Sequence, residues 1–221
     1  MTLNIRQQYY LQTMGIDIYV SRDAVVEKCT DTEPDQDQDV WAQLQAEVAG
    51  CKRCDLHRGR TQTVFGVGNR TADWLIIGEA PGAEEDRQGE PFVGRAGKLL
   101  NAMLQAISLR RDQVYIANIL KCRPPNNRDP NPEEVSCCEG YLQRQIALIK
   151  PKIILAVGRI AAQNLLKVDT PIGKMRGNRY EYGDIPVVVT YHPAYLLRSP
   201  GQKRKSWQDL QLAIKIYGES R

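Results

Sequence analysis

Apolar and polar positions along the chain follow two rhythms. Short unbroken apolar runs at 74–77, 114–117, 153–157 and 187–190 predict strands buried on both faces, where neither side needs polar residues. Between them lie helically spaced segments at about 40–48, 97–107, 132–149, 159–166 and 202–217. The third has Pro132 in its first turn and Asn131 as its cap. Strand and helix alternate, so the fold class predicted is α/β: a three-layer α/β/α sandwich around a four-stranded, mainly parallel central sheet. Ligands of such sheets bind outside the carboxyl ends of the strands.

Residues 1–39 read differently from residues 40–221. Ile5, Tyr9 and Met14 suggest a short helix over 4–13 that stops at Gly15, and 29–39, CTDTEPDQDQD, is an acidic, apolar-poor linker. The domain proper is expected to occupy 40–221. Charge divides the same way. Residues 1–50 carry three Lys/Arg against nine Asp/Glu, and 51–221 carry twenty-seven against seventeen, giving −6 and +10 within a total of +4. A domain at +10 suits a polyanion such as nucleic acid, although solubility alone also accounts for it. The acidic extension is expected to tether a helix that docks a protein partner. No apolar stretch of membrane-spanning length and no export signal is found, so a soluble, cytoplasmic protein is expected. Six cysteines in such a chain, two of them as Cys51-x-x-Cys54, favour metal ligation over disulfides.

Three predicted strand ends carry polar chemistry. The first runs into Gly78-Glu79-Ala80-Pro81-Gly82, a turn where backbone can approach a ligand, followed by Glu84-Glu85-Asp86 and then Phe92, a lone aromatic outside any apolar stripe. The second ends at Asn118, whose amide offers one donor and one acceptor, as reading a pyrimidine imide edge requires; capping a turn is the alternative. The last ends in His192-Pro-Ala-Tyr195-Leu196-Leu197-Arg198, which holds one of only two histidines. His57, beside the cysteine pair, reads as incidental.

These segments, GEAPG, ED, PFVGRAGKLL, Asn118, KCRPPNNRDP and HPAYLLR, resemble in content and order the family 4 uracil-DNA glycosylases, from about Cys51 to the C-terminus. The resemblance implies a DNA-repair enzyme that flips uracil out of DNA and hydrolyses its N-glycosidic bond. Phe92 would stack on the flipped ring, Asn118 would hydrogen-bond its Watson–Crick edge, and His192 would stand beside uracil O2. Gly78, Ala80, Pro81, Gly82 and Glu85 would line the pocket. In a sister family with a Gly-Gln-Asp-Pro-Tyr loop an Asp orients water, but Ala80 stands at that position, which leaves Glu79 as the nearest candidate. Gly82 replaces that family's thymine-excluding Tyr, so Glu85 is the candidate gate. No histidine lies between His57 and His192, which argues against a covalent sugar intermediate. Tyr195, Leu196 or Leu197 would fill the vacated stack, with Arg198 and Lys203-Arg204-Lys205 as phosphate contacts. One flipped base requires only a monomer.

The resemblance also selects Cys51, Cys54, Cys122 and Cys138 as ligands of a structural [4Fe-4S] cluster, with zinc as the rival metal. Cys137 would point about 100° away from Cys138 on the same helix, so only one should face the cluster. Cys29 would be free. Two alternatives stand beside this reading: a non-catalytic iron-sulfur module that binds nucleic acid, and a nucleotide-binding regulator built on Gly66-x-Gly68, which lacks the surrounding pattern of a phosphate loop.

Overall fold

The computed structural model describes residues 36–219; the helix expected over 4–13 and residues 29–35 of the linker expected over 29–39 lie outside the described residues, while 36–39 of that linker are helical. A compact unit runs from Asp39 to the C-terminus. Its first helix, α1 (Gln36–Ala49), begins four residues before the expected start, within the segment expected as linker.

The sheet has six strands, not four: β1 (Val67–Gly68), β2 (Trp74–Gly78), β3 (Tyr115–Asn118), β4 (Ile153–Val157), β5 (Arg179–Tyr182) and β6 (Ile185–Thr190). Their order is β1-β3-β2-β4-β6-β5. The four expected strands form the parallel centre, and β1 and β5 add antiparallel edges. The edges escape the apolar-run criterion for physical reasons. β1 is two residues long, and β5, Arg-Tyr-Glu-Tyr, alternates between exposed and half-buried positions as a one-faced edge strand should. The two-residue Gly183-Asp184 connection pairing Tyr182 with Ile185 was the sequence signal for this hairpin.

Period-two alternation splits the central strands between two cores. Leu75, Ile77, Tyr115, Ala117, Ile154, Ala156, Val187 and Val189 face one side. There they meet Trp41, Leu44 and Val48 of α1, Tyr141, Leu142 and Ile146 of α4 (Pro132–Ile149), and Ala161 and Leu165 of α5 (Arg159–Leu166). Trp74, Ile76, Ile116, Leu155, Val157 and Val188 face the other side. Their partners are Leu100, Met103 and Leu104 of α3 (Arg95–Ala106), and Leu210, Ala213 and Ile216 of α8 (Lys203–Glu219). The α/β/α layering therefore follows from strand alternation alone. Asn131 and Glu134 form the capping box of α4.

Three short helices were not anticipated: α2 (Ala83–Gln88), α6 (Ile172–Met175) and α7 (Pro193–Arg198). The last follows directly from the strand end that holds His192. Pro193 at its first position and His192 as its cap are start signals that the short length concealed. Among the described residues no helix is long and apolar enough to cross a membrane.

Candidate active site at the carboxyl ends of the strands

The pocket floor is set by register. β2 and β3 pair in parallel with Gly78 opposite Asn118, so the two strands deliver the GEAPG turn and the Asn118 amide side by side. A Cβ on Gly78 would lie 2.4 Å from Asn118 Oδ1 and 2.7 Å from the Phe92 ring, so only glycine lets these groups close over the strand end. Gly78 thus sits beneath the pocket rather than on its wall. Asn118 is 2% exposed, and its Oδ1 finds no hydrogen-bond partner among the described residues. A buried acceptor left unpaired costs about 1–3 kcal/mol, so the position calls for a donor from outside the chain.

Phe92 is 6% exposed and has a φ of 53°, a left-handed conformation that is costly for an aromatic residue. Its ring stacks on His192, with centroids 5.6 Å apart and planes 30° from parallel. His192 caps α7: its Nδ1 accepts from the Ala194 N–H at 3.1 Å, which leaves the ring proton on Nε2. Burial, with Arg198 adding to it and Glu85 opposing, lowers the His192 pKa to about 4, so the ring is a neutral donor. The strand end beneath it is pinned by the Thr190 hydroxyl donating to Asp209 Oδ2 at 2.9 Å. Arg176 donates to both oxygens of that fully buried carboxylate. Neither Arg176 nor Asp209 carries a sequence signal, because an ion pair across 33 residues has no local pattern.

Glu79 lines the same pocket. Burial, then the charge of Asp129, pushes its pKa up to about 7 against the pull of Arg159. Glu85 directs Oε1 at the N–H groups of Val93 (3.0 Å) and Gly94 (3.2 Å), holding the Phe92 loop to the start of α3. Its Oε2 lies 2.7 Å from where a Cβ of Gly82 would be, so the carboxylate fills the space that a side chain there would take.

A pocket of about 450 Å³ collects Glu79, Ala80, Pro81, Gly82, Glu85, Phe92, Asn118, His192, Tyr195 and Arg198. Leu196 is corrected: it is 1% exposed within the α3–α8 core, because the helical turn of α7 rotates it inward, so it is not a wedge. Leu197 is half-buried outside the pocket lining. The Pro-rich loop adds Pro124, Asn127, Arg128 and Asp129, which the sequence reading missed as site residues.

A family model of the Uracil DNA glycosylase superfamily matches residues 65–211, a span containing all three strand ends. The chain belongs to this superfamily. It is 48% identical over 181 residues to a Type-4 uracil-DNA glycosylase of Archaeoglobus fulgidus, covering 78% of this chain and 91% of that protein. Another Type-4 uracil-DNA glycosylase, from Thermotoga maritima, is 46% identical over 154 residues, 69% of this chain and 80% of that protein. A Type-5 uracil-DNA glycosylase of Pyrobaculum aerophilum is 30% identical over 152 residues, 61% and 67% of the two chains.

Among the described residues of this superfamily member, five cysteines come together away from the strand-end pocket. Cys51, Cys54, Cys122, Cys137 and Cys138 line one cavity with Arg60, Lys121 and Tyr141. Both Cys137 and Cys138 reach it, contrary to expectation, but Cys138 is buried and Cys137 only half-buried. Arg60 donates to Cys122 Sγ at 3.0 Å, and the Lys121 N–H donates to Cys138 Sγ at 3.3 Å. Burial raises the pKa of Cys54 and Cys122, and pushes Cys138 up to about 11, so these thiols are protonated and poor nucleophiles unless a positive group draws the proton off. His57 is not idle, since its Nδ1 is 2.8 Å from the Cys54 carbonyl and ties the knuckle together. Behind the pocket, Lys121 is 1% exposed and donates to the Asn118 carbonyl (3.0 Å) and to Gln145 Oε1 (2.6 Å).

Proposed function

We propose that the chain is a uracil-DNA glycosylase that flips uracil out of DNA and hydrolyses its N-glycosidic bond, leaving an abasic site. The observation that carries this is the buried, unpartnered Asn118 acceptor facing a pocket shared with the Phe92 and His192 rings. Extruding a nucleotide costs a few kcal/mol, least at a mismatch. Exposed Arg198, Lys203, Arg204 and Lys205 are the phosphate contacts that offset it, and Tyr195 is the residue beside the pocket that fills the gap. Uracil stacks on Phe92, gives its N3–H to Asn118 and accepts at O4 from the same amide; cytosine presents the opposite pattern.

Bond cleavage leaves negative charge on the base. His192 Nε2–H donates to O2, and that bond strengthens as charge grows, so the ring stabilises the transition state without changing its own protonation. Glu79 as carboxylate orients the attacking water. The pH dependence tests this role. Uracil release should fall as pH drops through about 7, where Glu79 takes up its proton, and Glu79→Gln should be slow and lack that limb. The fold favours protonated Glu79, so its contribution to stability is present below the unfolded carboxyl range and lost as pH rises through about 7. Incubation with oligonucleotides carrying U, T or C opposite G tests the function itself: free base and an alkali-labile site are expected from U alone, and release of none of the three would remove the proposal.

The thiols fit a [4Fe-4S] cluster held by Cys51, Cys54, Cys122 and Cys138. Three distant segments converge on one cavity, with N–H donors already aimed at two of the sulfurs. Thiols from separate segments lining one cavity suit a group in which each ligand takes its own iron. When bound, the cluster supplies cross-linking and no step of the hydrolysis. Cys138→Ser should lose iron, visible absorbance and thermal stability together, whereas Cys137→Ser should keep all three. The reverse result would reassign the fourth ligand.

A further inference from the structure

Phe92 occupies a conformation that its own chemistry disfavours, so something must hold it there. Glu85 fastens the following residues from the pocket side. The carbonyls of Pro91 and Phe92 both accept from one side chain, Arg111, which is not part of the pocket lining. Its Nη2 donates to Pro91 O and its Nη1 to Phe92 O at 3.3 Å, with Asn101 Oδ1 of α3 also 3.3 Å from Nη1. A planar guanidinium spans two successive carbonyls with separate N–H groups in a rigid fork, whereas an ammonium would have to serve both from one nitrogen. The approach is completed by Gly97 in the first turn of α3, where a Cβ would stand 1.7 Å from Phe92 O. Arg111 itself is half-buried on the short turn before β3, so the strand that delivers Asn118 also delivers the clamp on Phe92.

We propose that Arg111 is a positioning residue for base recognition: its guanidinium locks the left-handed Phe92 so that the ring is preset as the stacking face for the flipped base. The proposal rests on the glycosylase reading and adds a residue outside the pocket lining. It acts through Phe92, touches neither DNA nor base, and works in the free protein, so it bears on base affinity before any chemistry.

The test uses free uracil as an inhibitor of uracil release by the full chain. Arg111→Ala should weaken uracil inhibition about tenfold, as expected for losing charge-assisted bonds that fix a recognition group, while affinity for undamaged duplex stays near the wild-type value. Arg111→Lys, which keeps the charge and loses the fork, should recover only part and serves in place of the alanine variant if that one does not fold. In a Phe92→Ala background neither change should weaken uracil binding further, because the residue they act through is gone. Equal losses in both backgrounds, or an unchanged inhibition constant in folded Arg111→Ala, would overturn the clamp while leaving the glycosylase reading intact. A wild-type chain that releases no uracil would defeat that reading first, and the clamp with it.

Discussion

Replacing His192 with alanine is expected to slow uracil release about 10²- to 10³-fold, the usual effect of deleting one preorganised donor to a developing anion. The loss should fall on the chemical step, not on DNA binding, because the ring lies in the pocket and the exposed basic side chains of α7 and α8 are untouched. The neutral state of the ring sharpens the expectation. With Nδ1 occupied by the Ala194 N–H and the pKa lowered to about 4 by burial, His192 should contribute no titration between pH 5 and 8. A wild-type limb near 7 then belongs to Glu79 and should survive in whatever residual rate His192→Ala retains. Stability follows the opposite sign to that of Glu79. The unfolded imidazole binds its proton from about 6.5 downward and the folded one only near 4, so the fold loses stability as pH falls through that window.

Asn118→Ala is expected to lower kcat/KM for uracil about 10²- to 10⁴-fold, since two hydrogen bonds vanish and the imide edge of the base is left unpaired in a buried site. Its signature is selectivity. His192→Ala should slow uracil release without admitting cytosine, whereas Asn118→Ala should compress the ratio of uracil to cytosine release, measured as kcat/KM on matched oligonucleotides. The scaffold should tolerate the change, because Lys121 holds the main-chain carbonyl of Asn118, not its side chain. If the ratio were unchanged, base identity would have to be read elsewhere.

Much of this was legible in the chain because the central strands are buried on both faces and advertise themselves as apolar runs: Ile153–Val157 is an example from end to end. Once those runs are placed, topology puts Gly78, Asn118 and His192 at one edge of the sheet, and the site follows. What the sequence hid is of two kinds. Elements too short to show a period were passed over: β1, and α7, whose turn carries Leu196 into the core. The other kind is a side chain bonded to backbone far away. Arg111 grips carbonyls nineteen and twenty residues earlier, and backbone acceptors leave no trace in residue identity. Glu85, anticipated as a gate, also anchors two N–H groups, a structural duty that its position in a cluster of acids does not suggest.

The central claim is that Phe92, Asn118 and His192 together form a uracil-hydrolysing pocket. Single-turnover uracil release from a U:G duplex, with every protein at saturating concentration and its DNA affinity measured in parallel, tests it most directly. The account predicts rapid release by the wild-type protein and losses of at least about 10²-fold for both His192→Ala and Asn118→Ala with duplex affinity retained. Wild-type protein with its cluster loaded that binds the duplex and releases nothing, or variants that release uracil at the wild-type rate, would contradict it.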